Sequence, residues 1–306
     1  MTGIINTGSV PKALQVGVKE WWGLGYKEHP LEFTRVYTTM DTDKAYEEAV
    51  MLVGTGMFPR KSEGAPVNYD SIRQGFLARF NQLTYAMGVI FTYEMLKFKQ
   101  YDLGFKKANF IGVSARVTQE VINWNVLNRA FNSSYTMGSG HDGQELCATD
   151  HPNISGGTYS NMLATPADFS HAALEQILIQ ISNATDDRGN PKALMPKKVV
   201  YPTALQFEVA RVLNSVQESG TANNDINAIR TETNLERVMS HYLDDADAWF
   251  VQTDCPNGLR RFVAEAAAAP VQENDYDTRN IKYASFFMEA SGWEDPRCLY
   301  GSQGAG

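Results

Sequence analysis

The sequence predicts an α+β protein, and three stretches carry that prediction. Between Leu83 and Met95 every second side chain is apolar (Leu83, Tyr85, Met87, Val89, Phe91, Tyr93, Met95), the period of a strand with one buried face. From Asp102 to about Phe131 the apolar residues step by three and four instead, which is a helix. Residues 165–216 then run helix, strand, helix. The chain has 306 residues, 43% of them hydrophobic and 20% charged, enough for one large domain or two modest ones.

In chain order, residues 1–31 are rich in glycine (Gly3, Gly8, Gly17, Gly23, Gly25) and hold Trp21 and Trp22 with no period. Such a segment reads as an extended arm lying on another surface, or as a terminus packed on its own domain. Residues 32–96 have a β texture, with a short strand at 35–40 and the long alternating one at 83–95, about 40 Å at roughly 3.3 Å per residue. Between them Gly54 to Pro66 is rich in turn residues and carries Arg60, Lys61 and Glu63, so the region is expected to be a projecting ribbon with a polar tip.

Asp102 is suited to cap the long helix, on which Phe110, Val113, Val117, Val121 and Trp124 form the expected buried stripe, and Gly104 and Gly112 are weak points. Thr165-Pro166-Ala167-Asp168 reads as a helix start, with Phe169, Ala173, Ile177 and Ile181 on the buried face. Lys198 to Tyr201 is a core strand, and Leu205, Val209, Val212, Leu213 and Val216 mark another helix. Gly220 to Asp225 is a polar loop, Ala248 to Thr253 a strand stopped by Pro256-Asn257-Gly258, and Ile281 to Met288 a strand.

The composition limits function. The net charge of −8, from 27 basic and 35 acidic groups, argues against a general phosphate-gripping face. No stretch approaches the roughly 18 consecutive apolar residues of a membrane span, and Met1 to Val10 lacks the pattern of a secretory signal. Cys147, Cys255 and Cys298 are odd in number and far apart, and are expected to be reduced thiols.

Candidate chemistry is sparse. Gly138-Ser139-Gly140-His141-Asp142-Gly143 fits the GxGxxG pattern, but follows a helix and precedes turn residues, whereas a dinucleotide site needs a strand before it and a helix after it. His141, Asp142, Asp150 and His151 could hold a metal for a hydrolase, but no rigid element groups them, and each pair sits beside Gly or Pro. Cys147 with His151 lacks a third, orienting group. Asp244-Asp245-Ala246-Asp247 lacks the spacing and glycine of a calcium loop. The reading is therefore of a protein with no catalytic, metal or cofactor site.

Three stretches resemble a known family. They are Asp142-Gly-Gln-Glu-Leu-Cys-Ala-Thr-Asp-His-Pro-Asn153; Ala246 to Asp254 followed by Gly258-Leu-Arg-Arg-Phe262; and Ser291-Gly-Trp-Glu-Asp-Pro-Arg297 ending at Tyr300-Gly-Ser-Gln-Gly304. In this order they are similar to segments of tailed-bacteriophage major capsid proteins with the Hong Kong 97-type fold, the Mu-like major head subunits in feel. The resemblance runs from about residue 31 to the end. It implies an N-terminal arm (1–31), an extended loop (32–96), a peripheral domain with a long spine helix (97–159 and 263–306) and an axial domain (160–262).

The same resemblance implies a protein of the virion, assembled in the host cytoplasm, whose copies form pentamers and hexamers tiling an icosahedral shell. That shell would enclose double-stranded DNA without sequence-specific binding, and its assembly would use a portal. The cleaved N-terminal scaffolding segment of many relatives has no counterpart, so a separate scaffolding protein is expected. A cross-link through Lys61, near the loop tip, has no distinguishing sign here. Trp21, Trp22, Arg60, Lys61 and Glu63 are the candidates for contacts between subunits. The alternatives are the metal-dependent hydrolase and another phage structural protein, a tail or decoration subunit.

Overall fold

The computed structural model describes residues 9–98, 101–138, 140–217 and 226–305, without the side chains of 9–14, 96 and 101–103. The capping role of Asp102 and the polar loop Gly220 to Asp225 lie outside the described residues. In chain order the helices are α1 (Ser9–Tyr26), α2 (Tyr93–Lys97), α3 (Tyr101–Asn128), α4 (His171–Ser182), α5 (Gln206–Asn214) and α6 (Ala228–Glu232). The strands are β1 (Thr38–Asp41), β2 (Tyr46–Val53), β3 (Arg73–Asn81), β4 (Leu83–Phe91), β5 (His151–Pro152), β6 (Thr158–Tyr159), β7 (Pro196–Pro202), β8 (Glu236–Ser240), β9 (Trp249–Thr253), β10 (Leu259–Glu265), β11 (Val271–Asn274), β12 (Ile281–Trp293) and β13 (Leu299–Ser302).

α1 replaces the expected extended arm over residues 9–26. Its glycines break nothing because two of them face α3 at close approach. A Cβ on Gly17 would sit 2.5 Å from the Phe105 ring, and one on Gly25 would strike the Asn109 carbonyl. Gly112 of α3 answers from the other side, where a Cβ would strike the Trp22 carbonyl. Gly104 similarly makes room for the Phe91 ring. Both glycines expected to weaken α3 are thus contact points, and the helix runs 28 residues, about 42 Å.

β12 organises the larger sheet. Its 13 residues pair antiparallel with β4 along Ile281 to Glu289. On its other side β12 pairs with β11 over Ile281 to Ala284 and with β10 over Met288 to Trp293. β1 adds a parallel edge to β10. The alternating strand therefore ends at Phe91 and belongs to this sheet, not to the ribbon. Of the alternating face expected to be buried, Leu83 and Met87 are exposed, and only Phe91 is fully buried, packed with Val18, Ala108, Ile281 and Tyr283. The ribbon itself is the antiparallel hairpin of β2 and β3. β3 and β4 form one extended run interrupted only at Gln82, whose amide bonds to the Ala45 carbonyl at 3.1 Å.

The second sheet, β13-β9-β7-β8, carries α4, α5 and α6. The main core lies here: Leu174, Ile177 and Ile181 of α4, Val199 and Val200 of β7, Trp249 to Val251 of β9, and Trp124 and Leu127 from the end of α3. α4 starts six residues later than Thr165 suggests. Ser170 caps it, accepting from the Ala173 amide at 3.2 Å. The intervening Ala167 is held extended, donating to Ser302 Oγ and accepting from the Trp249 indole at 3.1 Å. Asp168 accepts from the Ala305 amide instead of serving a helix end. α5 buries Val209 and Val212 as expected, but Val216 falls past its end and is exposed.

Candidate functional site

The segment joining β2 and β3 carries a cluster of uncovered apolar side chains. Of the 19 residues from Gly54 to Ile72, Met57, Phe58, Val67, Tyr69 and Ile72 are all exposed, Phe58 completely. Arg60, Lys61 and Glu63 are exposed beside them and make no ion pair among the described residues. The tip expected to be polar is thus apolar with a charged fringe. Its neck is fixed to its own chain. Asp70 accepts from the Gly56 amide at 2.8 Å and pairs with Arg188 at 2.8 Å, and Arg188 also donates to the Ser71 carbonyl. The Gly56 and Ser71 amides, helped by Arg188, hold the Asp70 carboxyl below its usual range.

The two N-terminal indoles part company. Trp22 is buried against α3 and stacks on Tyr26 with ring centres 4.9 Å apart. Trp21 stacks on Phe105 and keeps 40% of its surface exposed. Of the pair, Trp21 alone retains surface for a partner.

Three of the four residues considered for a metal site do come together. Asp142 sits between two imidazoles, its Oδ1 2.6 Å from His141 Nδ1 and its Oδ2 2.6 Å from His151 Nδ1. His141 Nε2 meets the Glu294 carbonyl at 2.9 Å, and His151 Nε2 meets Asn161 Oδ1 at 3.1 Å. Every ring nitrogen is therefore directed at an oxygen within hydrogen-bonding distance. Asp150 is exposed and takes no part. Among the described residues no group of three or more His, Cys, Asp or Glu side chains is arranged to hold a metal ion. The three cysteines are buried and unpaired, and burial pushes the Cys255 thiol up to about 11, far from a nucleophile's range. Of the glycine pattern at 138–143, Gly138 and Gly143 adopt positive φ.

Sequence reading missed the polar network on α3. Glu289 of β12 is enclosed by Arg261 of β10, whose Nε donates at 3.0 Å, and by Asn123 and Gln119 of α3 at 3.0 and 3.2 Å. Gln119 accepts in turn from the Tyr26 hydroxyl at 2.7 Å. The next residue, Glu120, accepts from the Glu32 and Phe33 amides and the Trp124 indole. Burial raises the Glu120 pKa, against the pull of those donors. These polar residues occupy the covered arc of α3, and Phe110 and Val121, expected in the core, are 67% and 50% exposed. A second network surrounds Arg297, which lies 3.8 Å above the Tyr159 ring and bonds Asn153, Asp187 and Asp295. Both networks join distant segments of the chain. The one sequence signal for them is negative: polar residues interrupting an otherwise apolar period.

Comparisons agree with this picture of a structural protein. A search of curated protein sequences finds no match. The structure is similar to the virus-like particle protein of Pyrococcus furiosus, at TM-score 0.54 and 9% identity, covering 94% of this chain and 98% of that one. It is similar to the capsid protein of a native GTA particle at TM-score 0.57 and 11% identity, covering 89% of each chain. It is also similar to a chain of the bacteriophage JBD30 procapsid, at TM-score 0.53 and 12% identity, covering 97% of this chain and 76% of that one. These likenesses establish the mixed α+β capsid fold. The sequence profile of the phage capsid protein family matches residues 78–302, nearly three quarters of the chain, and the chain therefore belongs to that family and is a capsid subunit.

Proposed function

We propose that this chain is the major head subunit of a tailed phage, of the Mu-like group, whose copies close as pentamers and hexamers into an icosahedral shell around double-stranded DNA. Assembly takes place in the host cytoplasm with a separate scaffold and a portal, and the product resides in the virion. The protein's work is mechanical, and no residue of it is assigned a catalytic role. In this reading residues 1–31 are the arm, 32–96 the extended loop, 97–159 and 263–306 the peripheral domain around α3, and 160–262 the axial domain. Rings need heterologous contacts, in which one surface meets a different surface of the next copy.

The observation that carries this reading is the hairpin tip. Five large apolar side chains on 19 residues with nothing covering them are a surface in search of a partner. Laid on a neighbouring copy, they would contribute about 25 cal/mol per Å² of apolar area removed from water, with Arg60, Lys61 and Glu63 pairing at the rim. Trp21 is the further candidate contact. Deleting Gly56 to Gly64 should leave a folded, soluble subunit that builds no shells by electron microscopy. Amides of the tip should exchange fast in free subunits and slowly in particles. Closed shells of normal size from the deletion variant, or exchange unchanged on assembly, would remove the hairpin from the subunit interface.

A further inference from the structure

The capsid role leaves the buried His-Asp-His cluster unexplained, and its hydrogen bonds give it a task. We propose that His141, Asp142 and His151 form a proton-dependent clasp, which ties β3 of the hairpin to the segment after β12 only while the His141 imidazole carries two protons.

The proton count follows from the acceptors. The Glu294 carbonyl can only accept, so His141 Nε2 must donate to it. The Asn161 amide cannot be turned. Its Oδ1 accepts from the Ala148 amide at 2.9 Å, and its Nδ2 faces the carbonyls of Leu146, Pro296 and Leu299 at 2.7 to 3.0 Å. His151 Nε2 must therefore donate as well. Each remaining nitrogen, Nδ1, faces a carboxylate oxygen of Asp142 at 2.6 Å. With both nitrogens of His141 protonated, the Glu294 carbonyl and Asp142 Oδ1 each receive an N–H from the ring, and Oδ1 also accepts from the Gln144 amide at 3.2 Å. The side chains of His141, His151 and Asp142 are at most 3% exposed, so water cannot supply a missing donor. Removing one proton would set a nitrogen lone pair against an oxygen in a buried site, at the cost of an unsatisfied polar contact.

The surroundings favour the charged form. Burial alone would lower the His141 pKa, but Asp142, the Glu294 carbonyl and Asp295 outweigh it, and the pKa is raised. The two imidazoles hold Asp142 far below its usual range despite its burial. Other charges facing the cluster are partly neutralised. Glu294 pairs with Arg260 of β10 at 3.0 Å, and Asp295 pairs with Lys192 at 2.6 Å and with Arg297. Tyr159 of β6 lies between His151 and Arg297, stacked on the first and beneath the second. Phe76 of β3 and Trp293 of β12 close the remaining sides of His141.

The clasp reaches the hairpin through short links. The Leu77 amide of β3 donates to the Gly140 carbonyl at 2.8 Å, one residue before His141. A Cβ on Gly75 would sit 2.9 Å from Ile154, two residues past β5, so the middle of β3 lies against both segments that carry the histidines. The folded state binds the extra proton of His141 more tightly than the unfolded chain does. Its stabilisation is therefore present below the ordinary histidine pKa of about 6.5 and is lost as pH rises through the raised value.

The test is urea unfolding of the full chain between pH 6 and 9, for the wild type and for His141→Gln/His151→Gln. The wild-type unfolding constant should rise by up to about tenfold per pH unit for each coupled proton, and the double variant should lose that slope. Over the same range, protection of the Leu77 amide in the wild type should fall faster than that of Val199 in β7. Equal slopes in the two proteins, or parallel loss at Leu77 and Val199, overturn the clasp. Should the variant not fold, ¹⁵N-histidine spectra of the wild type at pH 7.5 decide. The His141 ring, assigned through its contact with Trp293, is expected to be an imidazolium, and a neutral His141 ring refutes the proposal.

Discussion

The centre of α3 and the tip of the β2–β3 hairpin invert the usual relation between polarity and burial. At the first, Gln119, Glu120, Asn123, Arg261 and Glu289 lie out of solvent, each held by named hydrogen bonds. At the second, Met57, Phe58, Val67, Tyr69 and Ile72 face water with no partner. Buried charge is tolerated only where it is paired and its hydrogen bonds are satisfied. Exposed apolar surface of this extent marks an interaction site. The contrast shows which half of the molecule is complete by itself. The polar groups around α3 and the larger sheet are satisfied within the chain, whereas the apolar side chains of the tip are left uncovered by it.

The contrast can be broken most severely at Glu289. Replacing Arg261 with Ala leaves a carboxylate in the interior without its cation, and the subunit should lose about 3–5 kcal/mol, read from its urea midpoint. Less severe is Gly112→Val, which drives side-chain atoms into the Trp22 carbonyl where α1 meets α3. Overpacking of this kind costs roughly 1–3 kcal/mol, and the loss should be accompanied by faster amide exchange in α1. The smallest effect on the subunit is expected from Phe58→Ser, within about 0.5 kcal/mol of wild type, although shell formation should suffer. A large stability loss from Phe58→Ser would mean that the tip is covered within its own chain, and the comparison between the two regions would collapse.

Much of this was legible from residue order alone. The length of α3, the core strand β7, the buried face of α4 and the β9 strand follow from period and turn residues. The faces of α3 did not, because hydrophobic periodicity is blind to a buried arc made of Gln119, Glu120 and Asn123. It selected Phe110 and Val121, which are exposed. α1 was hidden by its glycines, which signal a broken helix unless one knows that Gly17 and Gly25 face α3 at van der Waals range. The alternation at 83–91 revealed a strand but not its partner, since β12 lies some 200 residues away in sequence. At the candidate site, the histidines and Asp142 were visible as residues worth weighing. Their mutual geometry was not, because nothing in residue order shows that the Glu294 backbone carbonyl and the Asn161 side chain meet the ring nitrogens.

The unbroken path from β3 into β4 has a mechanical consequence. Only Gln82 separates the hairpin from the strand that pairs with β12 over nine positions, Leu83 to Phe91. A pull on the tip along that path loads the β4–β12 ladder in shear, so that its hydrogen bonds resist together. A pull across the ladder would instead open them one after another, like a zip. The strand thus acts as a tendon, strong along its own axis, and tension applied at the hairpin is delivered to the strand around which the larger sheet is built.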